Sequence, residues 1–198
     1  AIPGWRIDAF QIWMGEGGQH FMTYPVRGNT MLNYVAFVPS AEETKESWSA
    51  PGDPDALRAA FKGWDARVTE LLDKVYRCYW WGLYDRQPFR PWTVGRVSLL
   101  GDAAHPMLPH LGQGANQAIE DGVALAVLLA EATPSTVSTA LSAYEDLRAE
   151  RTAEVQEGAR RNGKRYSGAY EDIAKRDSEI VAAAEFRRQL YDFDVARS

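Results

Sequence analysis

The run from residue 95 to residue 121, GRVSLLGDAAHPMLPHLGQGANQAIED, gathers the residue types best suited to binding chemistry. Arg96-Val97-Ser98-Leu99-Leu100 reads as a short buried strand that stops at Gly101-Asp102. A strand ending in Gly-Asp presents a carboxylate at the carboxyl edge of a sheet, where open α/β sheets bind ligands. Asp102 can there accept hydrogen bonds from a sugar-like hydroxyl; capping a turn is the plainer task for the same carboxylate. Gly112 and Gly114 let backbone N–H groups approach a ligand closely, and the helix after them offers its positive dipole end. That end stabilises negative charge on a ring nitrogen or carbonyl. A carboxylate for a polyol beside a helix start for an electron-rich ring suits a flavin.

The elements that must carry these groups fall into three textures, with no internal repeat. From Trp5 to about Ser40 the chain reads as β: Ile7, Phe10 and Ile12, then residues 21–26, then 31–38, are β-branched and aromatic runs. Gly15-Glu16-Gly17-Gly18 marks one turn, and Arg27-Gly28-Asn29 marks a second, with Gly28 and Asn29 suited to the positive φ of a tight hairpin. After a loop rich in Glu, Ser and Pro, Asp53 before Pro54 reads as a helix cap. Ala56, Leu57, Ala60, Phe61 and Trp64 recur at helical spacing, and Val68, Leu71, Leu72 and Val75 form a second set. Residues 78–84 read as a further strand, central and covered because apolar residues fall on both faces. Beyond Gly114 the spacing of Ile119, Val123, Val127 and Ala130 predicts a long helix. Val137, Leu141, Tyr144 and Leu147 continue the helical pattern, with a break expected at Asn162-Gly163.

Composition bounds the function. Over 198 residues, 22 basic and 27 acidic side chains leave a net charge of −5, which argues against a nucleic-acid binder or a polybasic membrane-surface protein. With 45% apolar and 25% charged residues the chain is globular rather than disordered. The longest purely apolar run, residues 123–130, falls short of the roughly 20 residues of a membrane span. Cys78 is the single cysteine, which excludes an internal disulfide and a cysteine cluster for metal. No metal site is expected, and the cytoplasm is the expected compartment. The start at Ala1, without an initiating Met, suggests part of a longer protein.

The whole run resembles the second FAD-binding motif of the single-component flavin aromatic hydroxylases, the family of salicylate hydroxylase and 6-hydroxynicotinate 3-monooxygenase. Those enzymes carry Gly-Asp-Ala-Ala-His-Pro-x-x-Pro-x-x-x-Gln-Gly-x-x-x-Ala-Ile-Glu-Asp, and residues 101–121 match it nearly throughout. A pattern this long is far more specific than a lone Gly-x-Gly. Tyr24-Pro25 with residues 32–36, residues 81–86, and Tyr144-Glu145 ahead of an Arg-rich helix agree with it, so the resemblance spans most of residues 10–165.

The resemblance implies an α/β protein: part of an FAD-binding Rossmann-like fold, with an antiparallel substrate-domain sheet and carboxyl-terminal helices, α+β when taken as a fragment. It implies a partial substrate domain over 1–88, the FAD-binding strand, loop and helix over 89–132, and a helical segment over 133–198. Asp102 would bind the ribityl hydroxyls of FAD. Gly112, Gln113, Gly114, Ala115 and Asn116 would line the isoalloxazine, with Pro109 and Pro106 shaping the wall towards substrate. His20 and Tyr24 take the place of a substrate-facing His and Tyr on a substrate-domain strand, and strand alternation puts both on one face. His110 takes the place of the active-site His of the hydroxynicotinate enzymes. The implied reaction uses NADH or NADPH and O₂ to hydroxylate a hydroxylated aromatic or pyridine carboxylate through a flavin hydroperoxide, with a histidine drawing off the phenolic proton. A related flavin epoxidase or polycyclic-substrate oxygenase, and a non-catalytic remnant, are the alternatives. A homodimer is left open.

Plainer roles stand beside several of these. His105 either fixes its loop by a hydrogen bond or joins the site. Glu120 and Asp121 are adjacent on a helix, point apart and do not make a catalytic dyad. Arg27 is read as a turn residue, the Trp80-Trp81 pair as core, Cys78 as a small buried hydrophobe and residues 145–165 as a solvated helix face. The family also holds the ADP half of FAD on a Gly-x-Gly-x-x-Gly unit. Gly15-Glu16-Gly17-Gly18-Gln19-His20 does not supply that unit, and the family's Asp-Gly motif is absent too. The chain alone is therefore expected to bind FAD weakly and not to turn over.

Overall fold

Period-two alternation builds the first sheet. In the computed structural model, which describes residues 5, 8–40, 47, 49–167 and 173–197, β1 (Gln11–Met14), β2 (His20–Val26) and β3 (Met31–Phe37) form an antiparallel meander. Ile12 falls in β1 as the sequence places it and Phe10 lies just before that strand, whereas Ile7 lies outside the described residues, as does most of the loop over 41–48. The second turn differs from the expected tight hairpin. Val26 pairs with Met31, and Arg27, Gly28 and Asn29 all take positive φ (50°, 60° and 65°), so four residues make the connection. Thr30 ties it back through a hydroxyl donated to the Arg27 carbonyl at 2.7 Å.

These strands belong to a first unit, residues 1–83 with 166–169. One face of the sheet is covered by two helices. Asp53 accepts from the Asp55 amide at 2.8 Å and opens α1 (Pro54–Ala60), while Asp65 accepts from Arg67 at 2.9 Å and opens α2 (Ala66–Leu72). Phe21 and Phe61, both 0% exposed, meet edge to face at 5.4 Å in a core with Trp5, Val68, Leu71 and Leu72. Each buried phenylalanine contributes about 2 kcal/mol. β4 (Pro51–Gly52) pairs with β5 (Cys78–Tyr79). The expected covered strand over 78–84 is corrected here. Only Cys78 and Tyr79 pair, and Trp80, Trp81, Leu83 and Tyr84 are exposed, so the two tryptophans are not core. Apolar residues on both faces were a sign of coverage only if strands flanked them, and β5 has the short β4 as its one partner among the described residues.

The second unit comprises residues 84–165 and 170–198. β6 (Thr93–Val94) and β7 (Val97–Ser98) make a short hairpin. Leu99 and Leu100 are 37% and 47% exposed, which corrects the expected buried strand over 96–100 to a two-residue edge. The 3₁₀ turns Gly101–Ala103 and Pro109–Leu111 then lead into α3 (Gly114–Leu129). α4 (Val137–Ser167) runs unbroken through Asn162 and Gly163, against the expected interruption. Glycine is there for close packing, since a methyl at Gly163 would fall 2.4 Å from the His110 ring. α5 (Ile173–Ala182) and α6 (Ala184–Asp192) follow. No helix among the described residues is long and apolar enough to cross a membrane.

Candidate cofactor and substrate site

Gly101 starts the site because it can take φ +58° and because a methyl there would lie 3.3 Å from the Ala118 side chain of α3. The chain closes on itself at once, with the Ala104 and His105 amides both donating to the Gly101 carbonyl at 2.9 Å. Asp102 sits in the middle of this turn, exposed, and makes no hydrogen bond with any described residue. Its Oδ1 lies 3.8 Å from where a Gly114 methyl would stand, beside the start of α3. The carboxylate and the helix start therefore meet in space.

Between them, the residues read from the motif are mostly accessible. Pro109, Gly112, Ala115 and Asn116 are exposed and Gly114 is half-buried, with Gly112 in the left-handed region at φ +63°. Gln113 differs. It is 2% exposed, and its Nε2 has no hydrogen-bond partner among the described residues. An amide donor buried without an acceptor costs about 1–3 kcal/mol, which a ligand acceptor would recover. An accessible carboxylate, the first backbone amides of a 16-residue helix and an unpaired buried side-chain amide fit a flavin with a polyol tail. A cavity of about 180 Å³ in this unit lies elsewhere, beside Leu111, Arg161 and Phe186.

His110 is half-buried in the turn Pro109–Leu111. Asn162 donates to its carbonyl at 2.7 Å, and its ring occupies the space left by Gly163. His20 and Tyr24 belong to the first unit and lie on the sheet face opposite Phe21, as alternation requires. His20 is 1% exposed and stacks on Phe37 at 4.0 Å, while Tyr24 is 36% exposed and stacks on Phe10. Burial pushes the His20 pKa down, and the Gly18 carbonyl, 3.2 Å from Nδ1, pulls part of the way back. A neutral imidazole is the result near neutral pH.

His105 takes the structural role of its two readings. It is 1% exposed, and its Nε2 lies 2.7 Å from Asp121 Oδ2. The same oxygen accepts from the Gly101 amide at 2.8 Å, and Oδ1 accepts from Arg148 Nε at 2.8 Å. Burial alone would raise the Asp121 pKa; the hydrogen bonds from His105, Arg148 and Gly101 outweigh it and hold the value at about 2. Arg148, fully buried, also reaches Glu120 at 2.6 Å and both the side-chain and main-chain oxygens of Gln117. Arg151 closes the group by a two-point pair with Glu120. Glu120 and Asp121 are thus no dyad, but they converge on one guanidinium.

This group was not foreseen, and the reading of residues 145–165 as a solvated face is corrected by it. Glu145, Arg148, Thr152, Gln156 and Asn162 are all buried. Glu145 accepts from the Trp92 and Thr93 amides at 2.9 and 2.8 Å and from Arg90, and Gln156 donates to the Pro106 carbonyl at 2.8 Å. The signal was present: Glu145, Arg148, Thr152 and Gln156 continue from Leu141 at three- and four-residue spacing.

Known proteins resemble this chain in sequence and in fold. The family of FAD binding domains matches residues 4–159. A 3-amino-4-hydroxybenzoate 2-monooxygenase of Streptomyces platensis is 38% identical, with 96% of this chain and 48% of that protein covered. A 6-hydroxynicotinate 3-monooxygenase of Pseudomonas fluorescens is 40% identical over 76% of this chain and 39% of its own length. Among solved structures, a salicylate hydroxylase substrate complex superposes with a TM-score of 0.80 at 31% identity, covering 96% of this chain and 48% of that one. The chain spans about half the length, or less, of these relatives.

Proposed function

The chain belongs to the family of FAD binding domains, and from that premise we propose that it is a carboxyl-terminal portion of an FAD-dependent monooxygenase that hydroxylates a hydroxylated aromatic or pyridine carboxylate with NAD(P)H and O₂. The observation that carries the reading is Asp102, accessible, unpaired among the described residues, and adjacent to Gly114 at the helix start. Asp102 would accept from the ribityl hydroxyls of FAD. Residues 112–116, with the Gln113 side chain, would line the ring, and the positive end of α3 would favour negative charge on it. When bound, reduced FAD supplies the oxygen-transfer chemistry with O₂.

The substrate class rests on two supports. The relatives named above are named for ring acids that also bear a hydroxyl. His20, kept neutral by burial, can take a phenolic proton, and Tyr24 on the same strand face can hold a polar ring substituent. His110, seated on α4, is the third group assigned to substrate. NAD(P)H as reductant fits a cytoplasmic reaction.

Fluorescence titration of FAD with the purified chain tests the cofactor assignment. Weak, saturable binding is expected, and Asp102→Ala should weaken it at least tenfold. Stoichiometric flavin surviving dialysis would overturn the weak-binding reading, and equal affinity in the variant would overturn the role of Asp102. In the longer protein carrying this sequence, a small hydroxylated ring acid should gain one hydroxyl at the expense of NAD(P)H. Products from alkenes or polycyclic rings alone would refute the substrate class.

A further inference from the structure

The turn that carries Asp102 is held at both ends by one oxygen atom. Oδ2 of Asp121 accepts from the Gly101 amide at 2.8 Å, one residue before Asp102, and from the His105 ring at 2.7 Å, three residues after it. No described residue holds the Asp102 side chain: its carboxylate is exposed and makes no hydrogen bond among the described residues. Its direction is therefore set by the fixed backbone on either side. The other oxygen of Asp121 is taken by Arg148, which is fully buried and bound in turn to Glu120 and Gln117. Glu120 passes the connection to Arg151, which donates to the Leu190 carbonyl of α6 and lies 3.6 Å over the Phe193 ring.

We propose that Asp121, kept ionised and oriented by Arg148, is the positioning residue of the cofactor turn, acting on FAD only through the direction it gives Asp102. The physical case is one of acceptor number. A carboxylate offers about four lone-pair sites and can receive three donors at once, whereas an asparagine side chain offers one oxygen and presents two N–H donors of its own. Asparagine at 121 cannot serve the Gly101 amide, the His105 ring and Arg148 together, although it fills the same space. Ion pairing that seals a buried carboxylate is weak evidence for stability but a strong geometric constraint. Here that constraint falls on the five residues around the one accessible carboxylate of the turn. The inference rests on Asp102 being a contact for FAD, as proposed above.

A double-mutant cycle on the purified chain, read by FAD fluorescence, separates positioning from general stability. Asp121→Asn should weaken FAD binding at least tenfold in the wild-type background and less than twofold when Asp102 is already alanine. A tenfold loss in both backgrounds would overturn the proposal, because Asp121 would then act independently of Asp102. Loss on Asp121→Asn with none on Asp102→Ala would instead sink the reading of Asp102 on which it rests, and so would the absence of any saturable FAD binding. If Asp121→Asn does not fold by circular dichroism, Arg148→Lys takes its place in the same cycle, with the same two results deciding.

Discussion

Replacing Arg148 with methionine removes a guanidinium that makes hydrogen bonds to Asp121, Glu120 and Gln117 while exposing nothing to solvent. Methionine fills most of the volume, so the cost comes from electrostatics rather than from a cavity. Asp121 would keep the Gly101 amide and His105 but lose its guanidinium partner, while remaining 0% exposed. Stripping one partner from a buried pair costs about 3–5 kcal/mol, a large share of the roughly 5–15 kcal/mol that holds a domain folded. Glu120 keeps Arg151, which limits the damage on that side. Urea unfolding followed by circular dichroism, with linear extrapolation, should show a loss of about 3 kcal/mol or more. Asp121→Asn added to Arg148→Met should cost less than it does alone, because no unpaired charge then remains. A loss below about 1 kcal/mol for Arg148→Met would refute the argument that this arginine neutralises a buried carboxylate.

Asp121, with a pKa held at about 2 in the folded chain against about 3.9 when unfolded, contributes stability that is fully present above about pH 4 and is lost as pH falls through about 2. About 2 kcal/mol should disappear across that window in urea midpoints, and Asp121→Asn should flatten the profile. Glu145→Ala leaves the Trp92 and Thr93 amides without their acceptor and should cost about 3 kcal/mol, whereas Glu145→Gln retains an oxygen and should cost about 1 kcal/mol; equal losses would count against the amide contacts. Gly163→Ala is favoured by helix propensity by about 1 kcal/mol, yet the new methyl would fall 2.4 Å from the His110 ring. The ring must shift, so His110 resonances in NMR spectra should move clearly; unchanged signals would contradict the packing.

The parts of the molecule that were readable from sequence are those whose causes are local. Asp53 before Pro54 caps a helix because its side chain reaches an amide two residues away. Gly28 and Asn29 turn the chain because they tolerate positive φ, although the size of the loop did not follow from them. The motif over 101–121 keeps its candidate ligand groups close together in the chain, so Asp102 and the start of α3 could be paired from sequence, and Asp102 does lie beside Gly114. Residues 78–84 and 96–100 misled for the opposite reason. An apolar run shows that burial is affordable to the side chains, but whether a neighbour supplies it is decided by other parts of the chain.

Sequence by itself determined the order of elements, the turn chemistry, and the identity of the residues we propose for a flavin and a ring acid. Tertiary structure alone decided which polar residues would leave water. Arg148 and Asp121 are 27 residues apart in the chain, Glu145 and Trp92 are 53 apart, and nothing in their local spacing states that they meet. Helix propensity and solvation treat Glu145, Arg148 and Gln156 as residues for a wet face. They are buried because each finds, at long range, a partner that replaces the hydrogen bonds of water.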